Sequence, residues 1–150
     1  MSDHDAMGPW LQFAVICQTA LTETTGQVSI VRIFDRMMLA GESPTMKSQI
    51  VQLTLVIAFK SGSYTGPGKV AIHPFTPSER AMPPIEVSAL FEGQERGAQL
   101  ILPIGFPVEE EGLYWFDISV NGLRYTRMPL RIMYQPMVLP GQMGFGSPQG

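Results

Sequence analysis

The side chains that could do chemistry are few and scattered. The chain has two histidines, His4 and His73, and one cysteine, Cys17. Transition-metal sites gather His, Cys or carboxylate ligands at short spacings. These three residues show no such spacing. Calcium prefers several Asp or Glu oxygens drawn from separate loops. Here only Glu109, Glu110 and Glu111 run together, and Glu42 and Glu79 lie far off in sequence. The acidic triplet therefore reads as a solvated turn rather than a cage. Nucleophilic catalysis needs a Ser or Cys, a base and an orienting group. Cys17 with His73 and Asp35 or Asp117 can be drawn on paper. However, no G-x-S-x-G elbow exists, and a lone cysteine usually serves as a small core hydrophobe. Gly62, Gly66 and Gly68 do not precede a helix N-terminus, so they are not a phosphate loop. The expectation is a non-enzyme with no catalytic residues, no metal and no cofactor.

The elements that carry these residues follow a period of two. Strands are expected at 11–20, 28–39, 50–60, 69–75, 85–92, 98–106, 113–121 and 123–134. In 50–60, Val51, Leu53, Leu55, Ile57 and Phe59 alternate with a more polar set. In 113–121, Tyr114, Phe116, Ile118 and Val120 point inward. Val28 and Ile30 are out of phase with Val31 and Ile33, which predicts a bulge within 28–39. A second phase change predicts a bulge near Thr126–Arg127. Cys17 is placed on the core face of its strand, with Leu11, Phe13 and Val15. Pro103 argues that its strand is an edge, because proline donates no ladder hydrogen bond. Asn121–Gly122 suits the positive φ angles of a type I′ hairpin. Residues 61–68 (SGSYTGPG) and 93–97 read as a loop and a turn. No window is helical. Eight short strands with two long intervening loops predict an all-β, eight-stranded antiparallel Greek-key β-sandwich. Residues 10–134 form the domain, between a flexible N-terminus (1–9) and a flexible Pro/Gly/Met-rich tail (135–150).

Composition narrows the partners. Charged residues make up only 15% of the chain, and the formal net charge is −3. Nucleic-acid binders carry a basic excess, so nucleic acid is not expected. No run of 18 apolar residues suggests a membrane span. The first residues, MSDHDAMG, have no basic region before an apolar core, so no secretory signal is expected and the cytoplasm is the expected location.

The segment 109–134 contains G-L-Y-W-F-D-I, a short turn and T-R-M-P-L-R-I. It resembles the C-terminal hairpin of an uncharacterised bacterial family of small β-sandwich proteins. The first strand with Cys17, G-x-V-S-I-V-R-I-F-D-R at 26–36, the strand 51–60 and L-F-E-G at 90–93 are similar too. That resemblance spans roughly 11–134. It implies the fold and assigns no activity. The stretch 111–116 (EGLYWF) also resembles the tyrosine corner of immunoglobulin-like domains, with Tyr114 as the corner residue. C2-like sandwiches are a further, looser likeness. The paired cysteines of antibody domains are missing.

What remains is surface. Ile16, Val56, Ala58, Leu90, Ile101 and Trp115 occupy the phase opposite the expected core. Joined into one patch, they would mark an interface anchored on Trp115. Arg124, Arg127 and Arg131 form a candidate basic patch, joined by Arg32 and Arg36 if strands two and eight are neighbours. The preferred expectation is a non-catalytic interaction or structural module that meets a protein partner, or itself, through an outer sheet face or an edge strand. The alternative is a small-ligand or carbohydrate-binding domain using Trp115, Asp117 and Tyr64.

Overall fold

Alternating apolar residues require a sheet with one face buried, and the chain meets this with one sheet whose longest strands serve twice. The computed structural model describes residues 8–137. Seven strands occur: β1 (Trp10–Thr22), β2 (Val28–Ile33), β3 (Arg36–Gly41), β4 (Gln49–Phe75), β5 (Ile85–Val108), β6 (Gly112–Val120) and β7 (Leu123–Pro136). Their order is β2-β1-β4-β6-β7-β3, with β5 also paired to β4.

The first half of β4 lies between β1 and the second half of β5. Ala58, for example, pairs with Phe13 and with Gln99. The second half of β4 lies between β6 and the first half of β5, and Ile72 pairs with Ile118 and Ile85. Two lobes result, β2-β1-β4-β5 and β5-β4-β6-β7-β3, which share the bent β4–β5 ribbon. At the bend the register shifts on both sides of Gly62. Gly62 (φ 61°) and Gly93 (φ 94°) take up the left-handed backbone that bulges there require. The buried Ser61 hydroxyl donates to the Arg96 carbonyl at 2.6 Å and ties the two strands where the ladder is interrupted.

The core lies between the lobes. Leu55, Ile57, Phe59, Val70, Ile72, Phe91, Phe116, Ile118, Leu130 and Ile132 are all at most 1% exposed. Phe59 sits edge-on to both Phe91 and Tyr125, at 6.0 and 5.9 Å between ring centres. Phe106 reaches from one lobe to Tyr114 and Phe116 on the other. The Tyr114 hydroxyl donates to the Glu110 carbonyl at 2.7 Å, the bond expected of a tyrosine corner. Asn121 and Gly122 both have positive φ in the β6–β7 turn, as the sequence suggested.

The eight-stranded antiparallel expectation is corrected in three ways. Residues 61–68 and 93–97 are not a loop and a turn. They lie within β4 and β5, so four expected strands become two, and these two form a hairpin closed by 76–84. The segment 28–39 is not one bulged strand. It splits at Phe34–Asp35, where Phe34 N–H donates to Ile16 O in one lobe and Asp35 O accepts from Arg131 N–H in the other. After the switch, β3 runs parallel to β7, so the sheet is mixed. The phase change in β1 also differs. A register shift between Leu11 and Phe13 turns Phe13, Val15 and Cys17 outward and leaves Ala14 and Ile16 on the core side. The bulge expected near Thr126–Arg127 does occur, one position away. Ile118 pairs with Thr126 and Ser119 with Arg124, and the extra residue Tyr125 sends its hydroxyl to Pro9 O at 2.6 Å. Pro103 lies on an edge strand as expected, since β5 pairs only with β4. Strand β7 continues to Pro136, two residues past the expected domain limit. The rest of the expected flexible tail, and His4 with the rest of residues 1–7, lie outside the described residues.

Phe59→Ala should lower the unfolding free energy by about 3–5 kcal/mol in urea titrations, because it empties the contact between Phe91 and Tyr125. Burial pushes the Tyr114 and Tyr125 hydroxyls above their ordinary value of 10.0. Each folded-state pKa is raised, so this stability is complete below about pH 10 and is lost as pH rises through the folded values. Thermal melts should show an alkaline loss of stability that shrinks in Tyr114→Phe. That variant should also be about 1 kcal/mol less stable at neutral pH, having lost one buried hydrogen bond.

Candidate functional site

Among the stretches of the chain with no charged residue are 6–22, 48–59 and 97–108. They fold into β1, the first half of β4 and the second half of β5, which are neighbours in one lobe. One side of that lobe packs on the core. Because successive side chains alternate across a sheet, the other side carries Phe13, Val15, Cys17, Thr19 and Leu21 from β1. From β4 it carries Ile50, Gln52, Thr54, Val56 and Ala58. From β5 it carries Gln99, Ile101, Pro103, Gly105 and Pro107, and β2 adds Ser29, Val31 and Ile33. None of these is Asp, Glu, Lys or Arg; the next outward position of β4, beside the bend, is Lys60, between Trp10 and Gly97.

The face is graded in exposure. At its centre Cys17, Val56 and Ala58 are buried yet stand outside the core cluster. Val56 pairs with Val15 and with Ile101, so three aliphatic residues lie side by side across three strands. Along one end, Leu21, Val31, Ile33 and Ile50 are 57%, 39%, 63% and 66% exposed. Over Gly105, which lacks a side chain, lies a depression of about 310 Å³ lined by Gln18, Gln52, Thr54 and Pro103. The Thr54 hydroxyl donates to Gln18 O at 3.2 Å. Burial raises the Cys17 thiol pKa, and its hydrogen goes to Thr19 O at 3.4 Å. It is thus held as an unreactive thiol.

The expected partner-binding residues do not form one patch. Val56 and Ile101 lie on this face, although Val56 is only 1% exposed. Ile16 is a core residue, because the β1 bulge reverses its phase. Leu90 is exposed, but on the other lobe, where it pairs with Pro67. Trp115 is on the outer side of that other lobe as well, between Phe75 and Pro129. The alternation within each strand was legible. Which lobe each strand joins was not.

The outer side of the second lobe mixes charged residues with apolar ones, Met38, Leu90 and Trp115 among them. The Arg127 guanidinium lies over the Trp115 ring at 4.7 Å and near Phe75 at 5.8 Å, and its Nε donates to Asp117 at 2.8 Å. Arg124 reaches the same carboxylate at 3.4 Å. Two members of the candidate basic patch thus share one counter-ion. The third, Arg131, is a register neighbour of Arg36. Arg32 sits on β2 in the other lobe, away from them. The sugar-binding set is also separated. Asp117 holds two arginines, whereas Tyr64 packs on Phe91 and accepts from Asn121 at the opposite end of β6.

The acidic turn is internally engaged. Glu109 faces Arg80 at 3.9 Å, Glu110 O accepts from Tyr114, and Glu111 accepts from Tyr134 N–H at 2.8 Å. Among the described residues no group of three or more His, Cys, Asp or Glu is placed to hold a metal ion. A cleft beside this turn, lined by Thr76, Arg80, Met82, Pro107 and Tyr114, has a volume of about 170 Å³. Metabolite pockets are usually larger, about 300–1,000 Å³. Among the described residues no helix is long and apolar enough to cross a membrane.

A family profile matches residues 12–133, from the first strand through the last. The chain belongs to DUF6941, a family of unknown function. This agrees with the resemblance read from the β6–β7 hairpin and the strands before it. No curated protein matches. Among solved structures, the CARDB domain of a Pyrococcus furiosus protein, in complex with di-metal ions, is 9% identical, covers 86% of this chain and 99% of its own, and has a TM-score of 0.42. An immunoglobulin-like protein from Pseudomonas aeruginosa is 9% identical, with coverages of 84% and 97% and a TM-score of 0.38.

Charges placed on this DUF6941 face should separate its two zones. Ile33→Glu and Ile50→Glu, at exposed positions, should change stability by under about 0.5 kcal/mol in urea titrations. Val56→Asp, which buries an unpaired carboxylate, should cost several times more or abolish folding.

Proposed function

We propose that this protein is a non-catalytic interaction module whose working surface is the sparsely charged outer side of the β2-β1-β4-β5 lobe. The observation that carries this reading is a sheet face on which Leu21, Val31, Ile33 and Ile50 are solvent-exposed and charge enters with Lys60, beside the bend. Water ordinarily selects charged and polar residues for the outer side of an antiparallel sheet. A contiguous apolar surface that persists there marks an interface. In this reading the two lobes act as the two layers of a sandwich, one solvated and charged, the other turned to a partner. The arginine-capped Trp115 serves the solvated layer as packing rather than as an anchor.

Affinity capture by full-length protein from its native lysate tests the face. A stoichiometric partner should survive Trp115→Ala and be lost with Ile33→Glu or Ile50→Glu. Loss with Trp115→Ala alone would place the interface on the opposite lobe and sink the proposal.

A further inference from the structure

We infer that the sheet forks between β1 and β4, and that the fork seats an extended, uncharged strand contributed by a protein partner. This inference rests on the interaction reading above and names what the partner inserts. Strands β1 and β4 pair rung by rung as far as Cys17 with Thr54, and there the ladder stops. Both strands continue past that point. Residues 19–22 of β1 stay paired to β2, and residues 49–53 of β4 stay paired to β5. The two arms thus turn backbone edges toward each other with no ladder between them among the described residues. Carried on, the same register would join Thr19 to Gln52 and Leu21 to Ile50. Instead Leu21 and Ile50 are 57% and 66% exposed, whereas Ile16 and Cys17, on the last closed rungs, are buried. The depression of about 310 Å³ lies at the base of the fork, with Gln18 of one arm and Gln52 and Thr54 of the other among its walls. The buried Thr54 hydroxyl donates to Gln18 O and bridges the strands where the backbone rung is missing.

An unpaired strand edge is a template for another strand. Main-chain hydrogen bonds then supply affinity, and pockets for alternate side chains supply specificity. Because β1 and β4 are antiparallel, an inserted strand runs parallel to one arm and antiparallel to the other. Mixed pairing of this kind already occurs in the sheet, where β3 runs parallel to β7. Arms of about five residues take a segment of roughly 16 Å. Their chemistry sets its side chains. Residues 18–22 and 49–53 carry no charge, and Glu23 and Lys47 lie beyond the open ends. An ionised side chain between the arms would be desolvated without a counter-ion. On the outer side the segment meets Leu21 and Ile50, which suits an aliphatic residue. The hollow over Gly105 takes a side chain two positions further along.

Selection from a displayed library of random heptapeptides on the full-length chain, followed by amide hydrogen exchange with a selected peptide bound, tests the assignment. The selected peptides should be uncharged with alternating apolar positions, and should slow exchange in residues 19–22 and 49–53. Leu21→Glu and Ile50→Glu should each weaken peptide binding at least about tenfold, by burying an unpaired carboxylate. Ile33→Glu, on β2 outside the fork, should not. Circular dichroism should be unchanged in all three, because the positions are exposed. No enriched peptide, or protection confined to another edge, would overturn the inserted strand. Slow exchange of both arms in the free chain would overturn it as well. If deletion of residues 138–150 then abolished that protection, the occupant would be the chain's own C-terminal segment; if not, the ladder closes by itself. In each of these cases, loss of a lysate partner with Ile33→Glu would leave the interaction reading standing, and retention of that partner would remove both.

Discussion

The bent β4–β5 ribbon is the constraint on which the rest depends. A single strand of 27 residues, Gln49–Phe75, supplies the centre of both lobes. Its inward side alternates through Val51, Leu53, Leu55, Ile57 and Phe59, then resumes at Val70 and Ile72 after the bulges. The bend folds one continuous sheet over its own apolar side. Phe59 sits just before that bend and touches Phe91 and Tyr125, so it couples the ribbon to the last hairpin. The chain closes the opposite side differently. Between Phe34 and Asp35 it leaves the β1 edge and joins β7, one hydrogen bond to each.

This arrangement separates charge. The solvated lobe holds Lys69, Glu86, Asp117, Arg124, Arg127, Arg131 and Arg36 on its outer side, in part paired with one another. The other lobe is assembled largely from the charge-free stretches 6–22, 48–59 and 97–108. A net charge of −3 says nothing of this division. It arises because strands distant in sequence, β1 and the second half of β5, flank the same half of β4. Each stretch alone is an ordinary amphipathic strand with a neutral polar side. Side by side they make a surface on which charge is sparse over several strands, with the exposed Ile33 and Ile50 toward one end and Val15, Val56 and Ile101 at the centre.

Local features of the fold were legible and distant ones were not. Period-two alternation located the core residues of β4, β5, β6 and β7, because each side chain's phase is set by its neighbours in sequence. Asn121–Gly122 and Tyr114 were legible because turn and corner chemistry is local. The glycine-rich stretch 61–68 misled, since positive-φ glycines serve equally in a loop and in a bulge that lets a ladder continue. The phase change in 28–39 misled for a related reason. A bulge and a switch between lobes leave the same trace in one strand, and only pairing with Ile16 and Arg131 tells them apart. Of the residues expected to form one patch, Val56 and Ile101 share a face, Ile16 turns to the core through the bulge near Gln12, and Leu90 and Trp115 stand on the other lobe. Charge-free spacing along the chain was the stronger clue, because it survives ignorance of the topology.

The account's central claim is that the sparsely charged face of the β2-β1-β4-β5 lobe is covered in the working protein. Oxidative surface labelling of the full-length chain at its native concentration measures this directly. Ile33 and Ile50, at 63% and 66% exposure in the single chain, should label far more slowly than the comparably exposed Leu90 and Leu123 on the other lobe, at 62% and 66%. Labelling of Ile33 and Ile50 at the same rate as Leu90 and Leu123 would show an open face and contradict the account.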